Sequence, residues 1–291
     1  MNPATAPQLQ EQEGILAARY AEVRRTTEAL AEPLAVEDYV VQSMPDVSPT
    51  KWHLAHVTWF FETFVLVPHL PGYEPVNPAY QYLFNSYYLG AGERHCRDQR
   101  GYISRPTVAE VYQYRRHVDG AMDQLLRADA GDPDEVARVV EIGLHHEQQH
   151  QELLLTDIKH VLSVNPLRPE YQARSGEGTA RLRSTDASWT GPLSTHTSST
   201  HRRPSVEAQP LEWVAFPEGL VEIGADGEGF TFDNERPRHR HFVEAFELAS
   251  RPVTNREIMA FLADGGYERG ELWLSEGWAT AQERGWTEPF Y

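Results

Sequence analysis

Residues 132–166 read DPDEVARVVEIGLHHEQQHQELLLTDIKHVLSVNP, and this stretch decides the fold. Asp132, Asp134 and Glu135 put negative charge at the positive end of a helix dipole, and after Pro133 no proline interrupts the run until Pro166. The stretch is therefore predicted as one long helix. Its apolar stripe steps through Val136, Val139, Gly143, His146, His150 and Leu153. Two imidazoles thus fall at core-facing places, where an unpartnered polar group is disfavoured. His146 and His150 stand four residues apart, so both side chains leave one face of the helix and can reach the same metal ion.

Three further stretches carry the helical period. Residues 9–34 present Ile15, Leu16, Tyr20, Val23 and Leu30 along an interrupted stripe that Pro33 ends. Ser48-Pro49-Thr50 opens a second helix, in which Trp52, Trp59, Phe60, Phe64 and Val67 recur at helical spacing before Pro68. A third begins at Thr107 and carries Val111, Tyr114, Val118, Met122, Leu125 and Leu126 down one face. Four amphipathic helices predict a bundle. Residues 71–105 are rich in Pro, Gly, Asn and Tyr without a sustained period, and read as an ordered loop containing Cys96, Arg97 and Arg100. On the second helix His56 shares a line with Trp52, Trp59 or Phe60, and Thr63, which makes it the preferred third ligand. His53 is its rival, because the stripe through Val57, Phe60 and Phe64 is nearly as apolar. Cys96, His117 and His160 have no comparable partners and read as structural.

Composition bounds the chemistry. The chain has 291 residues, 40% hydrophobic and 24% charged, a globular composition long enough for two domains. A formal charge of −17 repels nucleic acid and anionic membranes at long range. With Cys96 as the single cysteine, no intramolecular disulfide and no Cys-rich zinc cage can form, so a metal must be held mainly by His, Asp or Glu. The N-terminal MNPATAPQLQEQEG lacks the basic start and apolar core of a signal peptide, and no apolar run reaches membrane-spanning length; a cytoplasmic location is expected. From Ala173 to Gln209 the sequence is dense in Ser, Thr, Arg, Gly and Pro, which marks a linker. From Leu211 short extended runs, LEWVAFPEGLVEIG and RHRHFVEAFELAS, precede a helical VTNREIMAFLADGG, the opening of a mixed α and β domain. The expected organisation is a bundle over residues 8–165, a linker over 166–210 and a second, incomplete domain over 211–291.

The same histidine helix admits another reading. His146-Glu147-Gln148-Gln149-His150 satisfies H-E-x-x-H, the zinc-protease helix in which Glu147 would be the general base, with Glu170 as a conceivable downstream ligand. Pro166 and Pro169 argue against a continuing helix there. Several segments together resemble the sulfoxide synthases (hercynine oxygenases) of ergothioneine biosynthesis. They are WHLAHVTWFFE (52–62), FNSYY (84–88), HCRDQRG (95–101), HHEQQHQELLLTDIKH (145–160), VEIG (221–224), FDNERPRH (232–239) and PVTNRE (252–257).

That resemblance implies a DinB-like four-helix bundle followed by the start of a C-type-lectin-like (formylglycine-generating-enzyme-like) domain. It implies iron(II) held by His56, His146 and His150. It implies a reaction in which dioxygen is consumed and the sulfur of cysteine or γ-glutamylcysteine is joined to C2 of the Nα-trimethylhistidine imidazole as a sulfoxide. Arg97 and Arg100 match an arginine pair that holds substrate carboxylates, a task suited to guanidinium geometry, and Gln149 matches a residue close to the histidine substrate. Cys96 stands where a proline is expected before the first arginine. The family's catalytic tyrosine is expected beyond Tyr291, so the chain is expected to be a truncated or inactive form. Related alternatives are a synthase joining cysteine to C5 of histidine, as in ovothiol formation, a DinB-like metal-dependent thiol transferase, and a remnant that binds metal without turnover.

Overall fold

The computed structural model describes residues 6–86, 88, 90, 92–127, 132–172, 210–227 and 229–289, with side chains from 14 onward. The chain divides into two compact units at about residue 176. The predicted linker over 173–209 lies outside the described residues.

The first unit is helical. Helices α1 (Ala6–Ala31), α2 (Thr50–Phe61), α5 (Val108–Arg127) and α6 (Pro133–Val164) pack as a bundle, α1 and α2 each against both α5 and α6. The Asp132 side chain caps α6 by accepting the N–H groups of Asp134 and Glu135, so the acids predicted at this terminus also define where it starts. The core is aromatic-rich, with Trp52, Trp59, Phe60 and Phe61 on α2 packed among Tyr20, Tyr114, Val118, Met122, Val140 and Leu144. Gly143 is required where α6 crosses α2: a Cβ there would meet Phe61 Cε1 at 2.5 Å and Phe60 Cε1 at 2.8 Å.

The structure departs from the periodicity reading in three places. The second helix does not end before Pro68. It widens into a π turn over Glu62–Leu66, where the Val67 N–H reaches the Glu62 carbonyl, and runs on through α3 (Val67–His69). Widening the turn accommodates a proline that has no N–H to donate back along the helix. The turn also buries Glu62, which accepts from Tyr73 Oη, the Val76 N–H and Tyr114 Oη. The predicted loop over 71–105 contains the short helix α4 (Tyr80–Phe84) and a 3-10 turn over Arg97–Tyr102. The buried faces of α1, α5 and α6 are not purely apolar: Ile15 and Leu153 are exposed, while Arg24, Thr27, Arg115 and Glu147 are buried.

Those polar residues form one network. Glu147 and Arg115 are each 0% exposed. Glu147 accepts from Arg24 Nη1 at 2.9 Å, Thr27 Oγ1 at 2.7 Å and Arg115 Nη2 at 3.2 Å. Arg24 also pairs with Asp119 at 2.8 Å and donates to Thr58 Oγ1 at 2.9 Å, and Arg115 reaches Glu28 and the Leu54 carbonyl. Burial alone would push the Glu147 carboxyl upward, but the Arg24 and Arg115 guanidinium groups and the hydrogen bonds from Arg24 and Thr27 hold it below the usual carboxylate range.

The second unit contains two antiparallel pairs, β1 (Trp213–Phe216) with β4 (Phe246–Ala249) and β2 (Gly219–Ile223) with β3 (His239–Val243). Phe216 stacks on Phe246 at the end of the first pair, with centroids 4.9 Å apart. Helix α7 (Asn255–Ala263) starts in a capping box between Thr254 and Glu257, and α8 (Ser275–Arg284), which the sequence pattern did not reveal, follows. The architecture is a helical bundle plus a small strand-containing domain.

Removing one partner of a buried ion pair strands the others. Glu147→Gln is expected to destabilise the bundle by about 3 kcal/mol or more. The readout is the urea midpoint of helical circular dichroism, and a midpoint equal to that of the parent chain would contradict the network's role.

Candidate metal centre

His56, His146 and His150 converge in the bundle, each offering a ring nitrogen within 4.8 Å of the others. Their ring centroids are 4.9 Å (His56 to His146), 4.6 Å (His56 to His150) and 4.7 Å (His146 to His150) apart. His56 is buried on α2 and its Nδ1 donates to the Phe84 carbonyl, which leaves Nε2 as a lone pair. That Nε2 lies 3.1 Å from His146 Nε2. Two imidazole nitrogens each about 2.1 Å from one ion, at a right angle, lie about 3 Å apart, so this pair already has the spacing of shared ligands. Nδ1 of His146 is buried without a hydrogen-bond partner among the described residues.

The rings sit in an aromatic setting. Trp52 stacks on His56 with centroids at 4.5 Å, Trp59 stacks on the same His56 ring at 5.6 Å, and Phe60 lies 4.8 Å from His146. Burial is the first cause that pushes all three imidazoles down, His56 and His150 well below the ordinary range and His146 to about 4. Neighbouring positive charge adds to it: Arg100 acts on His56 and His150. The rings are therefore neutral at neutral pH, the state a metal requires. Imidazole donors suit iron, zinc, copper and nickel, so the donor set fits iron(II) but does not select it by itself.

The remaining residues singled out by the sequence lie as follows. Arg100 is buried, with its guanidinium 3.4 Å over the Trp52 ring and hydrogen bonds to Ser48 Oγ and Ser86 Oγ. Arg97 is exposed on the same 3-10 turn and donates to the Asp46 carbonyl at 2.6 Å. Gln149 is exposed on α6, one residue before His150. Cys96 is exposed, and His160 pairs with Ser43 Oγ at 2.7 Å. Glu170 is exposed and no part of the histidine group. Glu147, the general base of the zinc-protease reading, has both oxygens committed to Arg24, Thr27 and Arg115, so it cannot serve a metal-bound water. Sequence reasoning missed Asp157 and weighed His53 only as a rival ligand. His53 Nδ1 lies 2.9 Å from His150 Nδ1, and its Nε2 lies 2.9 Å from Asp157 Oδ2. The available clue was spacing: Asp157 follows His150 by seven residues, two turns along the same helix face.

Comparison with known proteins agrees with this division of the chain. Residues 19–154 match the DinB superfamily, and residues 199–289 match the sulfatase-modifying factor enzyme 1-like domain. The protein is thus a DinB-superfamily bundle joined to a domain of the kind found in formylglycine-generating enzymes. The hercynine oxygenase of Mycolicibacterium thermoresistibile is 30% identical over 248 residues, 84% of this chain and 47% of that protein. Its counterpart in Mycobacterium tuberculosis is 29% identical over 248 residues, 84% of this chain and 50% of that protein. Ergothioneine biosynthesis protein 1 of Neurospora crassa is 24% identical over 187 residues, 60% of this chain and 18% of that protein. The chain is similar to hercynine oxygenases along most of its length, and it spans about half the length of the bacterial relatives it matches. No helix among the described residues is long and apolar enough to cross a membrane.

Neutral buried imidazoles make stability depend on pH with a definite sign. Their folded-state values are depressed, His146 to about 4 from an ordinary 6.5, so the unfolded chain binds more protons as pH falls through this window. Stability is present above 6.5 and is lost toward 4. The melting temperature of the metal-free chain is expected to fall across that interval, and a flat profile would contradict burial of the rings in neutral form.

Proposed function

We propose that this chain is the metal-binding part of an iron(II)- and dioxygen-dependent sulfoxide synthase. The reaction joins the sulfur of cysteine or γ-glutamylcysteine to C2 of the imidazole of Nα-trimethylhistidine. The convergence of His56, His146 and His150 within a bundle of this family carries the reading. The stoichiometry is one thiol, one imidazole C2–H and one dioxygen giving one sulfoxide and one water, so dioxygen takes up four electrons from the forming carbon–sulfur unit. Iron held by His56, His146 and His150 would supply the Lewis acidity that lowers a thiol pKa and the redox capacity that dioxygen chemistry needs.

The chain's own residues bind and orient. Three neutral imidazoles leave an ion its full positive charge, which favours an anionic thiolate beside it. Arg100, held against Trp52 by stacking and by Ser48 and Ser86, places a fixed positive charge near the triad and is proposed to hold a carboxylate of the sulfur donor, with Arg97 on the same turn. Gln149 is proposed to contact the imidazole substrate from the ligand helix. The aromatic faces of Trp59, Phe60 and Tyr88 near His146 and His56 suit a trimethylammonium group.

Two measurements test this. One iron(II) per chain is expected under anaerobic titration, with His146→Ala lowering affinity at least about tenfold, since two remaining imidazoles make a weaker site. In the longer synthase of which this chain is proposed to be the metal-binding part, oxygen uptake is expected to require thiol and trimethylhistidine together. Unchanged metal content in His146→Ala, or zinc-dependent peptide hydrolysis, would overturn the proposal.

A further inference from the structure

His53 occupies α2 one turn before His56, is buried, and has both ring nitrogens engaged. Its Nε2 meets Asp157 Oδ2 at 2.9 Å, and its Nδ1 meets His150 Nδ1 at 2.9 Å. Asp157 Oδ2 also accepts the Ser48 N–H at 2.8 Å, which fixes the carboxylate against the start of α2. A carboxylate only accepts, so the proton between Asp157 and His53 belongs to His53 Nε2. In a neutral His53 ring Nδ1 is then a lone pair, and the hydrogen bond to His150 forms only when His150 carries its own proton on Nδ1. His150 Nε2 is thereby left as a lone pair. The opposite polarity would put a proton on the very atom that must face an ion. The Phe84 carbonyl acts on His56 in the same sense, since it also holds a proton on Nδ1 and leaves Nε2 free.

We propose that Asp157 and His53 are positioning residues: they form a hydrogen-bonded relay that holds His150 in the tautomer and ring orientation that presents Nε2 to the metal. This rests on the metal-centre reading above. Without the relay, His150 can rotate about its ring axis and exchange tautomers, both of which dilute the ligating state. Groups behind a metal ligand that fix its tautomer typically contribute about ten- to hundredfold in metal affinity.

Histidine-labelled, metal-free full-length chain examined by long-range proton–nitrogen NMR tests the relay without any mutation. His150 is expected to show a protonated Nδ1 and a bare Nε2, and His53 the reverse. A proton on His150 Nε2, or rapid averaging of its two nitrogens, would overturn the relay. Cobalt(II) titration supplies a second readout: His53→Phe should lose roughly ten- to hundredfold in affinity, and His53→Gln, whose amide can both accept from His150 and donate to Asp157, should recover much of it. Equal cobalt affinity in folded His53→Phe and parent would also overturn it. Should His53→Phe fail to fold, the parent tautomers and the His53→Gln affinity still decide. A parent chain that binds no cobalt would refute the three-histidine metal site, while the His150 tautomer continues to judge the relay separately.

Discussion

The Glu147 carboxylate, shut away from water between Arg24 and Arg115, is the constraint on which the rest of the bundle depends. An unpaired carboxylate in that position would have to take up a proton or cost several kcal/mol, a large fraction of a domain's stability, so the two guanidinium groups are what let Glu147 stay charged inside the bundle. Because Arg24 comes from α1, Arg115 from α5 and Thr58 from α2, one acidic side chain on α6 fixes the rotation of four helices. Residues on either side of it are then aimed without further choice. His146 is its immediate neighbour, about 100° around the helix, and His150 is three residues on. Both are turned toward α2, where His56 waits with its proton drawn to Phe84.

A buried ion pair of this kind contributes less to net stability than an apolar core of the same size, but it penalises every misrotated packing heavily. That asymmetry matches the site's needs. Ligand nitrogens have to meet within a few tenths of an ångström, while Leu and Val faces slide against one another at little cost. The π turn after α2 serves a similar end, turning Glu62 inward to bind Tyr73, the Val76 N–H and Tyr114 and thereby fixing the chain just beyond the His56 helix.

Much of this was legible from spacing. The Asp132 cap, the long histidine helix and the inward line through His56 all follow from helical period and terminal charge. The zinc-protease reading and the place of Glu147 were not separable by pattern, because a periodicity argument assigns charged residues to the surface. Arg24 and Arg115 escaped for the same reason, and each stands at a core position of an otherwise apolar stripe. Leu153 and Ile15, apolar and exposed, were the opposite error. In the second unit the extended runs were visible, but pairing β1 with β4 and β2 with β3 depends on contacts between residues 16 to 36 apart in sequence, which no local pattern carries. His53 was visible as an inward residue, but its part depends on Asp157, whose partner lies on another helix.

A carboxylate committed to arginines and a ligand set of imidazoles alone are two sides of one claim. X-ray absorption at the iron edge of the anaerobic, iron(II)-loaded full chain tests it most directly, because outer-sphere scattering from imidazole rings counts them. Three imidazoles in the inner shell, with a spectrum that gains no protein carboxylate, is the expected result. Two or fewer imidazoles, or a carboxylate bound to the iron, would contradict the account.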